Sequence, residues 1–321
     1  MDTLNTHRCL AGVDEAGLGP ILGPLVVAGA ALSGPSGRDP WQALQGVVAR
    51  NRPRQRQIQV ADSKKVHQGP HGLARLERTA LTWISTWAGR TPRNVRELLL
   101  ATRTDVDRLV RCPWYEDLGL PLPLANDRAD IELTAHLLAE AMRETEIGIA
   151  HFSLLCVDVE EFNASIAATD NKGATHLHHY VRVLADILRH APPGAHVLAD
   201  RCGGRAHYRH ALASAFPDAR VAVLGETAEI SRYDVVRDDG AIKVTFATGG
   251  EERAFPTALA SCLAKYLREC VVHVLNDWFA ARVPDLRRTA GYWVDGHRFL
   301  ADVEALIASE GLPRERLVRA R

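Results

Sequence analysis

The chain has 321 residues, of which 46% are hydrophobic and 24% are charged, a composition typical of a globular protein with a full core. Its 39 basic residues balance 39 acidic residues, so the molecule as a whole has no electrostatic attraction for polyanions. Any binding of nucleic acid would therefore require a local basic patch. The six cysteines show no C-x-x-C spacing, which indicates reduced thiols and a cytoplasmic protein.

No segment is predicted to cross a membrane or to direct export. The longest apolar stretch, residues 21–32, is interrupted by Gly and Pro and is shorter than the ~20 residues that a membrane span requires. We therefore expect no membrane partner, and we expect a monomer.

The predicted elements begin with two strands within residues 7–33, joined by a Gly/Pro turn at 17–24. A polar surface loop is expected at 34–58. Helical spacing follows at 73–88, 94–110 and 131–144, with an irregular connection at 111–127. The second half predicts strands and helices in turn: strand 152–159, helix 172–190, strand 196–200, helix 205–215, strand 220–224, a hairpin of 233–236 and 242–246, and helix 256–280.

This order of elements predicts an α/β fold, a mixed sheet flanked by helices on both faces. We expect a single domain over residues 1–321. Within it, 67–150 fits the scheme least and is predicted to be a mostly helical insertion, and 281–321 a C-terminal helical extension.

The most informative residues are the adjacent carboxylates Asp14 and Glu15, which follow the apolar run 9–13 and precede a glycine-rich turn. Acidic residues are poor strand formers, and functional groups collect where strands end. Two neighbouring carboxylates repel each other unless a cation or a shared proton relieves the repulsion. Their hard oxygen atoms suit Mg²⁺ or Mn²⁺.

Two further acids extend this pattern. Asp200 follows the apolar run 196–199 and is itself followed by glycines, as Asp14 is. Glu269 lies four residues after Lys265 on the long predicted helix, where the bland interpretation is an i,i+4 ion pair. Glu226 and Glu229 are alternatives to Glu269. Asp14, Glu15, Asp200 and Glu269 together would hold two divalent ions ~4 Å apart, an arrangement that serves in-line displacement at phosphorus.

The motifs resemble those of the ribonuclease HII family. Residues 12–24 match its Asp-Glu-Ala-Gly-Arg-Gly-Pro-x-x-Gly-Pro motif, with Leu18 in place of arginine. Residues 62–65 resemble its Asp-Ser-Lys-Lys segment, and residues 264–269 its Ala-Lys-x-x-Arg-Asp segment, with Glu269 in place of aspartate. Gly291-Tyr292 is similar to the Gly-Tyr turn that follows. The chain therefore looks like a divergent member of that family.

The resemblance implies a ribonuclease H-like fold and metal-dependent hydrolysis of RNA paired with DNA. It assigns catalytic and metal-binding roles to Asp14, Glu15, Asp200 and Glu269, with Mg²⁺ or Mn²⁺ as cofactor. It also implies an RNA–DNA hybrid as the partner. The residues expected to contact this nucleic acid are Gly17, Leu18, Gly19, Lys64, Lys65, Lys265, Arg268 and Tyr292.

The replacement at Leu18 leaves the substrate open, because leucine cannot make the forked, charged hydrogen bonds of arginine. One alternative is therefore a nuclease of the same fold with another nucleic-acid substrate. The other is a nucleic-acid-binding protein that has lost its catalytic site.

Overall fold

The computed structural model describes residues 7–54 and 56–320. The strands are β1 (His7–Ala16), β2 (Leu25–Pro35), β3 (Val48–Ala49), β4 (Ile58–Gln59), β5 (Gly148–Val157), β6 (His196–Asp200), β7 (Arg220–Glu226), β8 (Ile230–Arg237) and β9 (Gly240–Ala247). The helices are α1 (Pro40–Ala43), α2 (Ser63–Val66), α3 (Gly72–Ala88), α4 (Val95–Ala101), α5 (Val106–Leu109), α6 (Arg128–Thr145), α7 (Val159–Thr169), α8 (Lys172–His190), α9 (Arg209–Ala215), α10 (Gly250–Arg253), α11 (Phe255–Ala280), α12 (Trp293–Glu310) and α13 (Arg314–Leu317), with a 3₁₀ helix at Pro113–Tyr115.

Seven strands form one sheet in the order β5-β2-β1-β6-β9-β8-β7. Strand β1 is antiparallel to β2 and parallel to β6, and β6 is parallel to β9. The predicted mixed sheet is therefore confirmed. Strand β2 is buried on both of its faces, because one apolar core lies on each side of the sheet. This explains why its sequence is a continuous apolar run instead of an alternating one.

The two cores have different partners. One contains α3, α4, α6 and α11, and the other contains α8 and α9. Helix α11 has 20 buried residues among its 26, so it is apolar around most of its circumference, as a central helix must be.

Two of the predicted segments differ from the structure in the kind or number of their elements. The expected loop 34–58 contains α1, β3 and the first residue of β4, because its apolar residues Leu44, Val48 and Ile58 enter the core. The single helix expected at 94–110 is two helices, since the Asp105 side chain accepts a hydrogen bond from the Arg108 amide and starts a new helix. The connection 111–127, expected to be irregular, contains only the short 3₁₀ helix, and it buries Trp114 and Tyr115 in the core.

Segment 67–150 contains α3 to α6. Its status as an insertion, the single domain and the monomeric state stay predictions, and residues 1–6 and 321 of the predicted domain lie outside the described residues. Within the described part of the chain, no helix is long and apolar enough to cross a membrane.

Candidate active site

The carboxylates of β1 and β6 meet because the two strands are parallel neighbours in the sheet. Val13 pairs with Ala199, so Asp14 and Asp200 follow at the same end of adjacent strands. Asp14 is only 7% exposed, and its Oδ1 atom accepts a hydrogen bond of 2.7 Å from the Glu15 amide. Three of the predicted site residues, Asp14, Glu15 and Asp200, are therefore brought together at one sheet edge.

Helix α11 closes this edge from one side. It approaches β1 at Gly12, where any side chain would overlap the backbone of Thr257. The Thr257 hydroxyl donates a 2.6 Å hydrogen bond to the carbonyl oxygen of Leu198 on β6, which fixes the helix against both strands. One turn further along, the Ser261 hydroxyl lies 2.9 Å from that of Ser63. This contact anchors the Asp62–Lys65 segment beside the carboxylates.

The electrostatics show a site with excess negative charge. Burial raises the pKa of Asp14 well above its usual range, and the neighbouring charges of Glu15 and Asp200 raise it further. Burial also raises the pKa of Asp200, against the lowering effect of the Gly250 amide, which donates a 2.9 Å hydrogen bond to Oδ1. A divalent cation would relieve both the repulsion and the cost of burial.

The structure adds a fourth acid, Glu251, which the sequence analysis did not select. Helix α10 begins at Gly250, the residue whose amide binds Asp200, so Glu251 lies next to the cluster. Burial raises the pKa of Glu251, and the charges of Asp200 and Asp62 add to this. A weaker signal was present: Glu251 follows a strand and two glycines, whereas Asp14 and Asp200 lie between a strand and the glycines that come after it.

The prediction that Glu269 is the fourth ligand needs correction, because its carboxylate is paired with basic residues instead. Its Oε1 atom lies 2.7 Å from Lys265 Nζ and 3.8 Å from Arg268 Nη1. Burial acts to raise the pKa of Glu269, but Lys265 and then Arg268 outweigh it, so the pKa is lowered. The additional methylene of glutamate and the i,i+4 spacing favour this ion pair over the carboxylate cluster. Glu226, one of the alternatives, is bound to His207 at 2.6 Å and to Tyr233.

The residues present fit a divalent cation. The Oε2 atoms of Glu15 and Glu251 are buried and have no hydrogen-bond partner among the described residues. All the ligands offered are carboxylate oxygens, which hard cations prefer. No three of these carboxylates offer ligand atoms within 4.8 Å of one another; in the described ranges, only His151, Asp186 and His190 do so.

The glycine loop, residues 17–19, lies beside Tyr292. Gly17 has a φ of +90°, which side chains rarely tolerate, and Leu18 is half-buried. Gly19 is exposed, and a Cβ atom there would lie 3.9 Å from Cε1 of Tyr292. Tyr292 is itself 51% exposed. The structure thus places an exposed aromatic ring next to an exposed backbone, as a stacking contact with a sugar or base requires.

The predicted basic residues have different surroundings. Lys64 lies near enough to Asp200 for its charge to oppose the rise in the pKa of that carboxyl. Lys65 is paired with Glu252 at 2.5 Å, and Lys265 is paired with Glu269. Arg268 is 1% exposed, and its guanidinium donates to the carbonyl oxygens of Leu22 and Ala290. The expected contact of Arg268 with nucleic acid is therefore corrected. This buried side chain instead links the loop that contains Leu22 to the loop that contains Ala290.

A basic cleft of about 580 Å³ adjoins the glycine loop. Its lining includes Leu18, Lys172, His176, Arg205 and His207. His176 Nε2 lies 3.4 Å from Glu15 Oε1, so this cleft leads directly to the carboxylates. The local basic patch that a neutral protein needs for phosphate contacts is present here.

Gly17 and Gly19 provide a matched pair of variants. We expect G17A to lower the free energy of unfolding by about 2 kcal/mol or more, because the φ angle is unfavourable and Cβ would overlap the Arg268 side chain. G19A should change it by less than about 0.5 kcal/mol, since its Cβ would meet only Tyr292 at 3.9 Å. Urea denaturation of both variants measures the difference, and equal losses would contradict the described loop.

The fold and the site define a mixed α/β protein with an acidic cluster where two parallel strands end. No family model and no curated protein matches the sequence. Solved structures similar to the chain are ribonucleases H. The RNase HII in a PCNA complex from Archaeoglobus fulgidus is 18% identical, with a TM-score of 0.43 and coverage of 97% of this chain and 94% of that chain.

The ribonuclease H2 from Pyrococcus horikoshii is 14% identical, with a TM-score of 0.47 and coverage of 97% and 92%. Bst-RNase HIII in complex with Mn²⁺ is 15% identical, with a TM-score of 0.39 and coverage of 99% and 67%. At such identities and TM-scores, the function has to be argued from the site itself.

Proposed function

We propose that this protein is a divalent-metal-dependent endonuclease of the ribonuclease H type, which hydrolyses RNA phosphodiester bonds in RNA–DNA hybrids or at ribonucleotides within DNA. The observation that carries the proposal is the meeting of Asp14, Glu15, Asp200 and Glu251 at one sheet edge, with burial and mutual repulsion raising the pKa of Asp14, Asp200 and Glu251. Such a cluster is costly in a folded protein unless it binds cations.

The four carboxylates would hold Mg²⁺ or Mn²⁺. When bound, these ions supply an activated water molecule and stabilise the leaving oxygen in displacement at phosphorus. The chain's own residues position the carboxylates and balance part of their charge. Gly250 and Ser261 orient Asp200 and Asp14, and Lys64 contributes positive charge beside the acids.

Recognition of the substrate is proposed for the glycine loop and Tyr292. The exposed backbone at Gly19 allows close approach of a ribose 2′-hydroxyl, the group that distinguishes RNA from DNA. Tyr292 offers a ring face for stacking, and the basic cleft at Lys172 and Arg205 would follow the phosphate backbone.

The activity test uses Mn²⁺ or Mg²⁺ and four labelled duplexes: DNA, RNA, an RNA–DNA hybrid, and DNA with one ribonucleotide. Cleavage of either of the last two supports the proposal. Cleavage of plain DNA or RNA alone would instead indicate a nuclease of the same fold with another substrate, consistent with Leu18. Binding without cleavage would indicate a protein that has lost catalysis.

We expect Y292A to reduce kcat/KM on the cleaved duplex by a factor of about 10 to 100, because a stacking contact contributes about 1–3 kcal/mol. Stability should hardly change, since the ring is half exposed. Y292F keeps the ring and should retain most of the activity. Steady-state kinetics of both variants test this, and full activity of Y292A would remove Tyr292 from the substrate site.

A further inference from the structure

Two buried arginines meet beneath the glycine loop. Arg268 comes from α11, and its side chain occupies the space that a Cβ of Gly17 would need. Arg319 comes from the segment after α13, and its Nη1 atom donates to the carbonyl oxygens of Gly17 and Pro20. Arg268 is 1% exposed and Arg319 is 4% exposed. Both guanidinium groups therefore contact the same turn from the interior.

The segment that carries Arg319 is well anchored. The Arg319 amide donates a 2.9 Å hydrogen bond to the Ile21 carbonyl oxygen, and Leu22 and Val318 form a β-bridge. The Asn163 side chain binds the backbone on both sides of Arg319, at Val318 and Ala320. The position of this guanidinium is thus fixed by backbone contacts and does not depend on a flexible side chain alone.

Several donors at this place lack a partner. Nε and Nη1 of Arg268, Nε and Nη2 of Arg319 and the hydroxyl group of Tyr115 are all buried without a hydrogen-bond partner in the described part of the chain. Tyr115 is 3% exposed and lies within electrostatic reach of both arginines. Unpaired donors of this kind are rare in folded proteins, and those on charged groups are the most costly.

The charges are also out of balance. The acid nearest to Arg268 is Glu269 at 3.8 Å, and that carboxylate is already paired with Lys265 at 2.7 Å. Arg319 forms no ion pair with any residue of 7–54 or 56–320. Burial, and to a smaller extent the like charge of Arg268, lower the pKa of Arg319 to about 9.

We propose that Arg268, Arg319 and Tyr115 form a buried binding site for a small inorganic anion, such as chloride or phosphate. Two forked guanidinium groups and a phenol hydroxyl are the donors that such an anion requires. Because the same guanidinium groups bind the carbonyl oxygens of Gly17, Pro20 and Leu22, the anion would fix the glycine loop from beneath. Binding of the anion at this site does not depend on whether the protein is a nuclease.

The test uses bromide as the probe. Crystals of the full chain grown in bromide should show an anomalous peak between Arg268 and Arg319. In solution, replacement of gluconate by bromide at constant ionic strength should raise Tm saturably, by a few degrees, because an anion that binds only the folded state stabilises it.

The variant Y115F removes one unpartnered donor and keeps the packing, so the bromide concentration at half-maximal effect should rise several-fold. Y266F is the matched control, since the Tyr266 hydroxyl has a protein acceptor, Glu77, at 2.9 Å. It should keep the wild-type response to bromide. R319K should weaken the response further than Y115F does.

Absence of the peak, together with equal, non-saturating shifts in all variants, would overturn the proposal. Cleavage activity does not enter either readout, so a failure of the proposed nuclease function would be recognised separately.

Discussion

Replacement of Asp14 or Asp200 by asparagine should abolish cleavage and at the same time stabilise the protein. We expect kcat to fall by a factor on the order of 10⁴, because each carboxylate is assigned to the cation site. Binding of the uncleaved duplex should persist, since the glycine loop, Tyr292 and the basic cleft remain. Single-turnover cleavage and a filter-binding assay measure the two effects.

The stability gain has a definite dependence on pH. The pKa of Asp14 in the folded protein is raised above its ordinary value of 3.8, so the folded state binds the proton more tightly than the unfolded state does. Stability is therefore lost as the pH rises from about 4 through the raised pKa. Without divalent cations, D14N should exceed the wild type by about 1 kcal/mol at neutral pH and by little below pH 4.

Asp218, an exposed residue between α9 and β7, provides the control. D218N should change neither cleavage nor stability. If D14N lowers stability at neutral pH, the excess negative charge described for the cluster does not exist. If D14N and D200N both keep cation binding and cleavage, the proposed function is wrong.

The second large effect distinguishes the acid found in the structure from the acid predicted by sequence. E251Q should reduce kcat by a factor on the order of 10³ or more, because Glu251 lies with Asp200. E269Q should leave kcat within a few-fold of the wild type. It should instead destabilise the protein by about 1–2 kcal/mol, because Lys265 loses its partner in a half-buried position.

The stability effect of E269Q also depends on pH. The pKa of Glu269 is lowered in the folded state, so its ion pair stabilises the protein above the unfolded pKa and is lost as the pH falls through the folded one. The loss in E269Q should therefore shrink in acid. E252Q, next to Glu251 but exposed and paired with Lys65, is the matched control for E251Q. Equal activity of E251Q and E252Q would mean that Glu251 is not the fourth metal ligand.

Local patterns predicted much of the fold. Helix α8 has the predicted bounds of 172–190, and β6 those of 196–200, because each has a strong period or apolar run with clear ends. Errors arose where a cap or a buried side chain decided the outcome. In the predicted helix 94–110, Asp105 caps a second helix. In the predicted loop 34–58, Leu44 and Ile58 are buried in the core, so that segment is ordered against it.

Asp14, Glu15 and Asp200 were identifiable from the sequence, because an acid after an apolar run and before glycine is unusual wherever it occurs. That they share one edge required the parallel pairing of Val13 with Ala199. Glu251 and Glu269 show the limit of such patterns. Each is an acid on or before the long helix, and only the hydrogen bond from the Gly250 amide to Asp200 places Glu251 in the cluster.

By itself the sequence determined the α/β class and the acids that follow the strands, since these follow from the order of neighbouring residues. Only the tertiary structure decided which acid completes the cluster, and that Arg268 is a buried support instead of a phosphate contact. The physical reason is that charge pairing and burial depend on residues far apart in the chain. Arg268 and Arg319 are brought to Gly17 by packing, which no local pattern records.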